Sequence, residues 1–305
     1  MTPPTVSVIV PAHNAARRLP RLFAALAAQT VDPRTFEVLV VDDASTDETA
    51  SVVARSGAAR LLRTAVSGGS YVARNLAIEE ARGEVLAFTD TDCVPARDWI
   101  AAGLGALEGA DIVAGHVDIP LGERPSAATL LDVARRHIDQ EHRVTEYGFG
   151  ATANLWMRRE LIDRVGRFRD DLISGGDAEF GHRATATGAT IAYAAGVLVT
   201  HPPRSEAKDL LRKQLRLGFG AAQRRGLLES APHAHRMWMR PRHYVPRRTI
   251  YGSDELARRG YRLTLREHVQ VRVLQYFCCQ LPLALGNLAG TIATHRSRRA
   301  SRTIP

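Results

Sequence analysis

The sequence predicts an α/β protein: a mostly parallel central sheet flanked by helices, followed by a basic, mainly helical C-terminal region. Three observations lead there. Short apolar runs rich in β-branched residues alternate with segments of helical periodicity, and parallel strands need crossover connections of that kind. Asn14, Asp42, Asp43, Asp90 and Asp92 each stand just after an apolar run, at the strand ends where such sheets bind ligands. The charge balance changes sign near residue 204: residues 1–203 carry 20 Arg and Lys against 26 Asp and Glu, and residues 204–305 carry 21 against 6.

Val6–Ala12 (VSVIVPA) is the first strand. A helix is expected over Ala15–Gln29, because Leu19, Leu22, Phe23 and Leu26 recur at helical spacing after Asn14, which reads as its cap. Phe36–Asp43 (FEVLVVDD) is the second strand, and a helix should open near Ser45–Asp47. LLRT adds a strand, Ser70–Arg82 a helix, EVLAFTD from Glu84 another strand, and Ala96–Leu107 another helix. Asp111–Val117 reads as strand, and the less regular Pro120–Gly148 contains a helix near Ala127–His142. Thr152–Phe168 is strand then helix; Ser174–Arg204 is a glycine turn, a short helix and strand residues ending at His201. Arginine-rich helical segments follow, so the boundary is placed between a catalytic domain, 1–203, and a basic helical region, 204–305.

At 305 residues, 45% hydrophobic and 24% charged, the chain can bury one large core with an appendage, and it has no repeat or low-complexity tract. Its three cysteines form no spaced framework and no leader-like segment opens it, so a reducing cytoplasm is expected. The basic region points to an anionic membrane surface, met through 205–305, rather than to nucleic acid. Val273–Thr294 holds no charge for 22 positions between flanking arginines, yet Gln275, Gln280, Pro282 and Asn287 make it a poor span. Either a helix lies at the interface or a C-terminal helix packs on the core. The expected location is cytoplasmic, peripheral on the inner face of the cell membrane.

The motifs carry chemistry. In FTDTDCVP, Asp90 and Asp92 would share one side of an extended strand, roughly 6 Å apart, where two charges repel by about 3 kcal/mol at an effective dielectric near 20. A positive group is expected between them, and a hard cation such as Mg2+ or Mn2+ takes one or two carboxylates with diphosphate and water. Asp42 and Asp43 in VVDDAS can accept from a base and a ribose while one of them caps the next helix. Arg74, one turn beyond Gly68 and Gly69, can neutralise phosphate or stack on a base. In SGGDAEF, Asp177 is a candidate general base and Glu179 its rival; either also serves as an N-terminal helix acid. His201 would join Asp92 on the metal, and Arg204 would hold a departing diphosphate.

In chain order these motifs resemble glycosyltransferase family 2, the inverting nucleotide-sugar enzymes of GT-A fold. The resemblance runs from about residue 5 to 204 through VSVIVPAHN, VVDDASTDET, ARNLAIEEARGEVLAFTDTDCVP, ATANLWMRRELIDRVGRF and SGGDAEFGHRA. It implies that Asp43 contacts the nucleotide base in a pocket with Pro11, His13 and Arg74, with Asn14 and Asp42 nearby. It implies that Asp90 approaches the ribose, Asp92 binds the metal, and Asp177 is the base. His13 stands where the family often has tyrosine, and Ala178 stands where many members have a second acid. The implied activity moves a sugar from a nucleoside diphosphate sugar, read as a UDP-sugar, to a glycan, lipid-linked or small-molecule acceptor hydroxyl of the cell envelope. Asn154 and Trp156 are candidate acceptor contacts. Two rivals are a nucleotidyltransferase of similar fold, for which PAHNAARRLP lacks the phosphate loop, and a non-catalytic, membrane-docked binding subunit.

Overall fold

A computed structural model describes residues 3–136, 138–227, 245–246, 250 and 252–302. It forms two compact units: Met1–Ile119, Ile138–Asp171 and Gly176–Pro202 make the first, and Pro120–His137, Leu172–Gly175 and Pro203–Pro305 the second. The second thus gathers two segments from before residue 204 as well as the basic tail.

The first unit holds one eight-stranded sheet. Its strands are β1 (Val6–Ala12), β2 (Phe36–Asp42), β3 (Arg60–Arg63), β4 (Val85–Thr89), β5 (Val94–Pro95), β6 (Ile112–Asp118), β7 (Asn154–Arg158) and β8 (Ile191–Thr200), in the order β3-β2-β1-β4-β7-β6-β8-β5. β1 pairs in parallel with β2 and β4, β2 with β3, and β6 with β8. β7 runs against both of its neighbours, and β5 runs against β8. The strand read at Thr152 is therefore reversed within an otherwise parallel run. From β1 the chain adds β2 and β3 on one side and β4 on the other, and the crevice at such a switch opens at the carboxyl ends of β1 and β4.

β4 is buried along its whole length and β1 everywhere but Pro11, which is why their sequences are mostly apolar rather than alternating. On one side of the sheet, Val8, Val10, Ala87 and Val113 pack with Leu22 and Phe23 of α1 (Leu19–Ala27). Trp99, opening α4 (Trp99–Ala106), meets Trp156 of β7 edge to face, with ring centroids 4.6 Å apart.

Helix starts differ from the reading. Asn14 does not cap α1, which begins five residues later with Arg18 at its N-cap and proline in its first turn, a position that needs no proline N–H. α2 (Thr49–Ser56) opens at Thr49, whose N–H donates to Asp47. Where one helix was expected over 127–142 there are two, α5 (Ala127–Ala134) and α6 (Gln140–Tyr147); residue 137 lies outside the described residues. α3 (Ser70–Glu80), α7 (Arg159–Val165) and α8 (Gly176–Ala186) complete the helices of the first unit.

In the second unit α5 is joined by α9 (Ala207–Leu227), α10 (Ser253–Arg258), α11 (Leu265–Leu274), a π-helical turn over Gln275–Gln280, and α12 (Leu281–Arg302). α9 and α12 touch backbone to backbone. A Cβ at Gly218 would lie 2.2 Å from the Leu283 carbonyl, and one at Gly286 2.2 Å from that of Leu215. Residues 273–294 are shared among α11, the π turn and α12, and among the described residues no helix is long and apolar enough to cross a membrane. Of the arginine-rich helical segments expected after residue 204, residues 228–244, 247–249, 251 and 303–305 lie outside the described residues.

Candidate active site

β4 ends at Thr89, so Asp90 and Asp92 do not share a strand face. The chain turns there, and the Cys93 N–H donates to the Asp90 carbonyl at 3.1 Å. Each has a nitrogen-bearing neighbour of its own. Arg74 on α3, only 4% exposed, reaches Asp90 Oδ1 at 2.8 Å, and His201 Nε2 lies 3.6 Å from Asp92 Oδ1. Burial raises the Asp90 carboxyl above the usual carboxylate range; Arg74 pulls it down, Asp92 pushes it up, His201 opposes and Asp177 adds to the rise. Arg74, Asp92, His201 and Asp177 thus all lie within electrostatic reach of Asp90.

His201 follows β8, and its N–H donates to the Asp118 carbonyl at 2.8 Å. Its Nδ1 lies 2.7 Å from the Pro202 carbonyl. A carbonyl only accepts, so Nδ1 carries the hydrogen and Nε2 is the nitrogen turned toward the Asp92 carboxylate. When that nitrogen carries no proton, it and the carboxylate make a pair of donors for a cation. Among the described residues no group of three or more His, Cys, Asp or Glu forms a closed metal site. Two donors do not fit a structural zinc site, but they do fit a hard cation that completes its shell with phosphate and water.

Asp177 stands in the first turn of α8 and is held on two sides. Thr152 donates through its hydroxyl to Asp177 Oδ1 at 3.2 Å and through its N–H to Oδ2 at 3.4 Å. Tyr71 Oη accepts the N–H groups of Gly176 at 2.9 Å and of Asp177 at 3.4 Å. The tyrosine ring lies so close to Gly176 that a Cβ there would be 2.7 Å from it. Burial and, after it, the charge of Asp177 push the Tyr71 hydroxyl above its ordinary range. Glu179 is engaged elsewhere, paired with Arg183 at 2.9 Å one helical turn on. Sequence reading missed Tyr71 and Thr152 although both lie within stretches it singled out; Tyr71 meets Gly176 across 105 residues.

At the ends of β1 and β2 the expected nucleotide-binding residues hold loops. Asp43 is 4% exposed, and its two oxygens accept from Thr64 Oγ1, Ser67 Oγ, Gly68 N and Gly69 N, all at 2.9 Å. Four donors fill a carboxylate. Burial alone would raise its pKa, yet these bonds outweigh it and leave the group below the usual carboxylate range. Asp43 in this structure therefore clamps the loop leading into α3, and a base could reach its oxygens only by displacing a donor. Asp42 is fully buried, accepts from the Ser45 N–H at 3.0 Å and lies 3.4 Å from Arg63.

Asn14, at a φ of 49°, accepts from the Thr46 and Asp47 N–H groups and so ties the β1 loop to the β2 loop. His13 is exposed; its Nδ1–H donates to the Asp43 carbonyl at 2.8 Å, and its Nε2 accepts from Asn14 at 3.2 Å. Pro11 is partly exposed near the end of β1.

Three candidates fall elsewhere. Asn154 and Trp156 are fully buried and have no surface to offer an acceptor. The Asn154 amide donates to the carbonyls of His116 and Val197 and accepts from the indoles of Trp99 and Trp156, joining three strands where the β6–β8 register shifts. Gly115 leaves it room, since a Cβ there would lie 2.3 Å from its amide nitrogen. Arg204 belongs to the second unit, where its N–H donates to Asp132 at 2.9 Å and its guanidinium lies 3.4 Å from the same carboxylate.

A parallel run of strands with a switch between β1 and β4, and an acidic, histidine-bearing cluster at the strand ends, make a GT-A-like fold. The sequence model of "Glycosyl transferase family 2" matches residues 7–166. The chain is 32% identical to glycosyltransferase AglE of Haloferax volcanii over 94% of its own length and 96% of that protein. It is 28% identical to the pre-mycofactocin glycosyltransferase of Mycobacterium tuberculosis over 71% of its length, spanning 47% of that longer chain. Among solved structures it is similar to the mannosyltransferase PcManGT of Pyrobaculum calidifontis, determined with GDP-Man and Mn2+, at a TM-score of 0.57 and 23% identity, over 97% of this chain and 87% of that one. Staphylococcus aureus TarS 1–349, determined with UDP-GlcNAc, matches at 0.54 and 18%, over 97% and 92%. The chain belongs to glycosyl transferase family 2 and is a glycosyltransferase.

Proposed function

We propose that this glycosyltransferase is metal-dependent and inverting, moving a sugar from a nucleoside diphosphate sugar to an acceptor hydroxyl in a single displacement. The observation that carries the reading is the facing pair Asp92 and His201 at the ends of β4 and β8, which lie within electrostatic reach of Asp90, as does an Asp177 that Thr152 and Tyr71 hold in place. Asp92 and His201 would hold Mg2+ or Mn2+, which neutralises charge on the departing nucleoside diphosphate when bound. Asp90, neutralised by Arg74, is assigned to the ribose, and Asp43 keeps the loop that shapes the base pocket. Asp177 takes the proton of the acceptor hydroxyl as that oxygen attacks the anomeric carbon, and the sugar–phosphate bond breaks on the opposite face.

A UDP-sugar is the donor assigned for a first test, because TarS was determined with UDP-GlcNAc; GDP-Man, bound in PcManGT, is the competing class. The acceptor is assigned to glycans, lipid-linked or free. The test is nucleoside diphosphate release across a panel of nucleotide sugars, with Mn2+ or Mg2+ and then with chelator. Release from one donor, abolished by chelator and by Asp92→Ala, supports the reading. Release that persists undiminished in chelator overturns the metal assignment.

A further inference from the structure

The second unit carries a groove that the transfer reaction does not use. It lies between α9 and α12, has a volume of about 580 Å3, and is walled by Ile173, Leu215, Phe219, Leu285, Leu288 and Ile292 with Arg216 at its edge. Gly218 and Gly286 bring the two backbones into contact beside it. Leu215, Leu285 and Ile292 keep 37 to 48% of their surface in solvent.

The exposure is concentrated. Of twelve large hydrophobic residues exposed among the described residues, ten belong to this unit, including Leu265, Val269, Val273 and Phe277 at four-residue spacing along α11 and the π turn. Monomeric proteins rarely leave apolar surface so clustered unless it meets a partner. The charge beside it has one sign. α9 holds six basic residues and one acid, and Arg212 and Arg216 stand exposed next to Leu211 and Leu215. Two copies of this face would set arginine against arginine, a like-charge cost. Apolar side chains bordered by arginines match a bilayer whose headgroups are anionic and whose interior is hydrocarbon.

We infer that the α9–α12 face of the second unit docks on an anionic lipid bilayer, with a lipid chain entering the groove and Arg212 and Arg216 on the headgroup phosphates. Among the described residues no helix is long and apolar enough to cross, so the contact is interfacial. The inference does not depend on the donor, metal or base assignments.

The experiment is flotation of the full chain with vesicles of phosphatidylcholine, with or without phosphatidylglycerol. The parent is expected to float with the anionic vesicles and to be released by high salt. Arg212→Glu/Arg216→Glu should weaken binding at least about tenfold, since each basic residue near such a surface contributes about 1 kcal/mol. Leu215→Asp/Ile292→Asp should abolish it with the melting temperature kept, because both side chains already face solvent. Absence of flotation at low salt, equal binding to neutral vesicles, or parent-like flotation of both double variants overturns the proposal. So does a lipid-free dimer, seen by sedimentation velocity, that Leu215→Asp/Ile292→Asp splits, for a second copy would then cover the groove.

Discussion

Tyr71 Oη accepts the Gly176 N–H at 2.9 Å and so fixes the residue that precedes Asp177. Tyr71→Phe keeps the ring and removes the acceptor. A buried N–H left without a partner costs about 1–3 kcal/mol, and the larger effect should fall on Asp177. Turnover is expected to drop roughly tenfold, equivalent to about 1.4 kcal/mol in the barrier, with the donor KM little changed. Steady-state kinetics beside a thermal melt check this; a variant that loses stability but keeps kcat assigns Tyr71 to folding alone.

Glu179 and Asp177 divide by what holds them. Arg183 takes both oxygens of Glu179 and also donates to the carbonyls of Val165 and Arg167. Glu179→Gln should therefore keep transfer within about threefold of the parent and lose at most about 1 kcal/mol of stability, as partly exposed pairs do. Complete loss of transfer in Glu179→Gln, with a parent-like melt, would move the base assignment to Glu179.

Asp43 makes stability depend on pH. Its folded pKa lies below the ordinary value, so its hydrogen bonds stabilise fully above the unfolded carboxylate value of about 3.9 and are lost as pH falls through the folded one. Asp43→Asn turns two donors toward the donors of the loop. Urea melts should find the variant less stable than the parent by roughly 2–4 kcal/mol at pH 7, at about 1–3 kcal/mol for each donor left unpaired. The gap should narrow below about pH 4. A gap constant from pH 7 to pH 3 would mean that the carboxylate charge contributes nothing.

Asn154→Ala leaves two buried indole N–H groups and two strand carbonyls without their partner. At least about 3 kcal/mol of stability should be lost, measured by chemical denaturation. An unchanged midpoint with a raised acceptor KM would instead restore Asn154 to acceptor binding.

The strands and their polar ends were legible because fully buried strands spell themselves as apolar runs and loops follow them abruptly. The same signal singled out Asp90, Asp92 and His201 just after strands, whereas Asp177 was read from a glycine turn that opens a helix. Reversal of β7 was not legible, because a buried strand has the same composition in either direction. Nor was the Asp43 clamp: an aspartate after a strand looks alike whether it awaits a ligand or holds Gly68 and Gly69. Asn154 misled for a related reason, since a polar residue beside tryptophan suits a sugar site and a buried amide hub equally well.

The most direct test is single-turnover transfer by Asp177→Asn with a nucleotide sugar and acceptor that the parent uses. Donor affinity, measured by titration, should stay within about threefold of the parent, while the transfer rate falls at least about a hundredfold, the smaller end of what a general base contributes. Transfer near the parent rate with intact donor binding would contradict the role of Asp177 as the base.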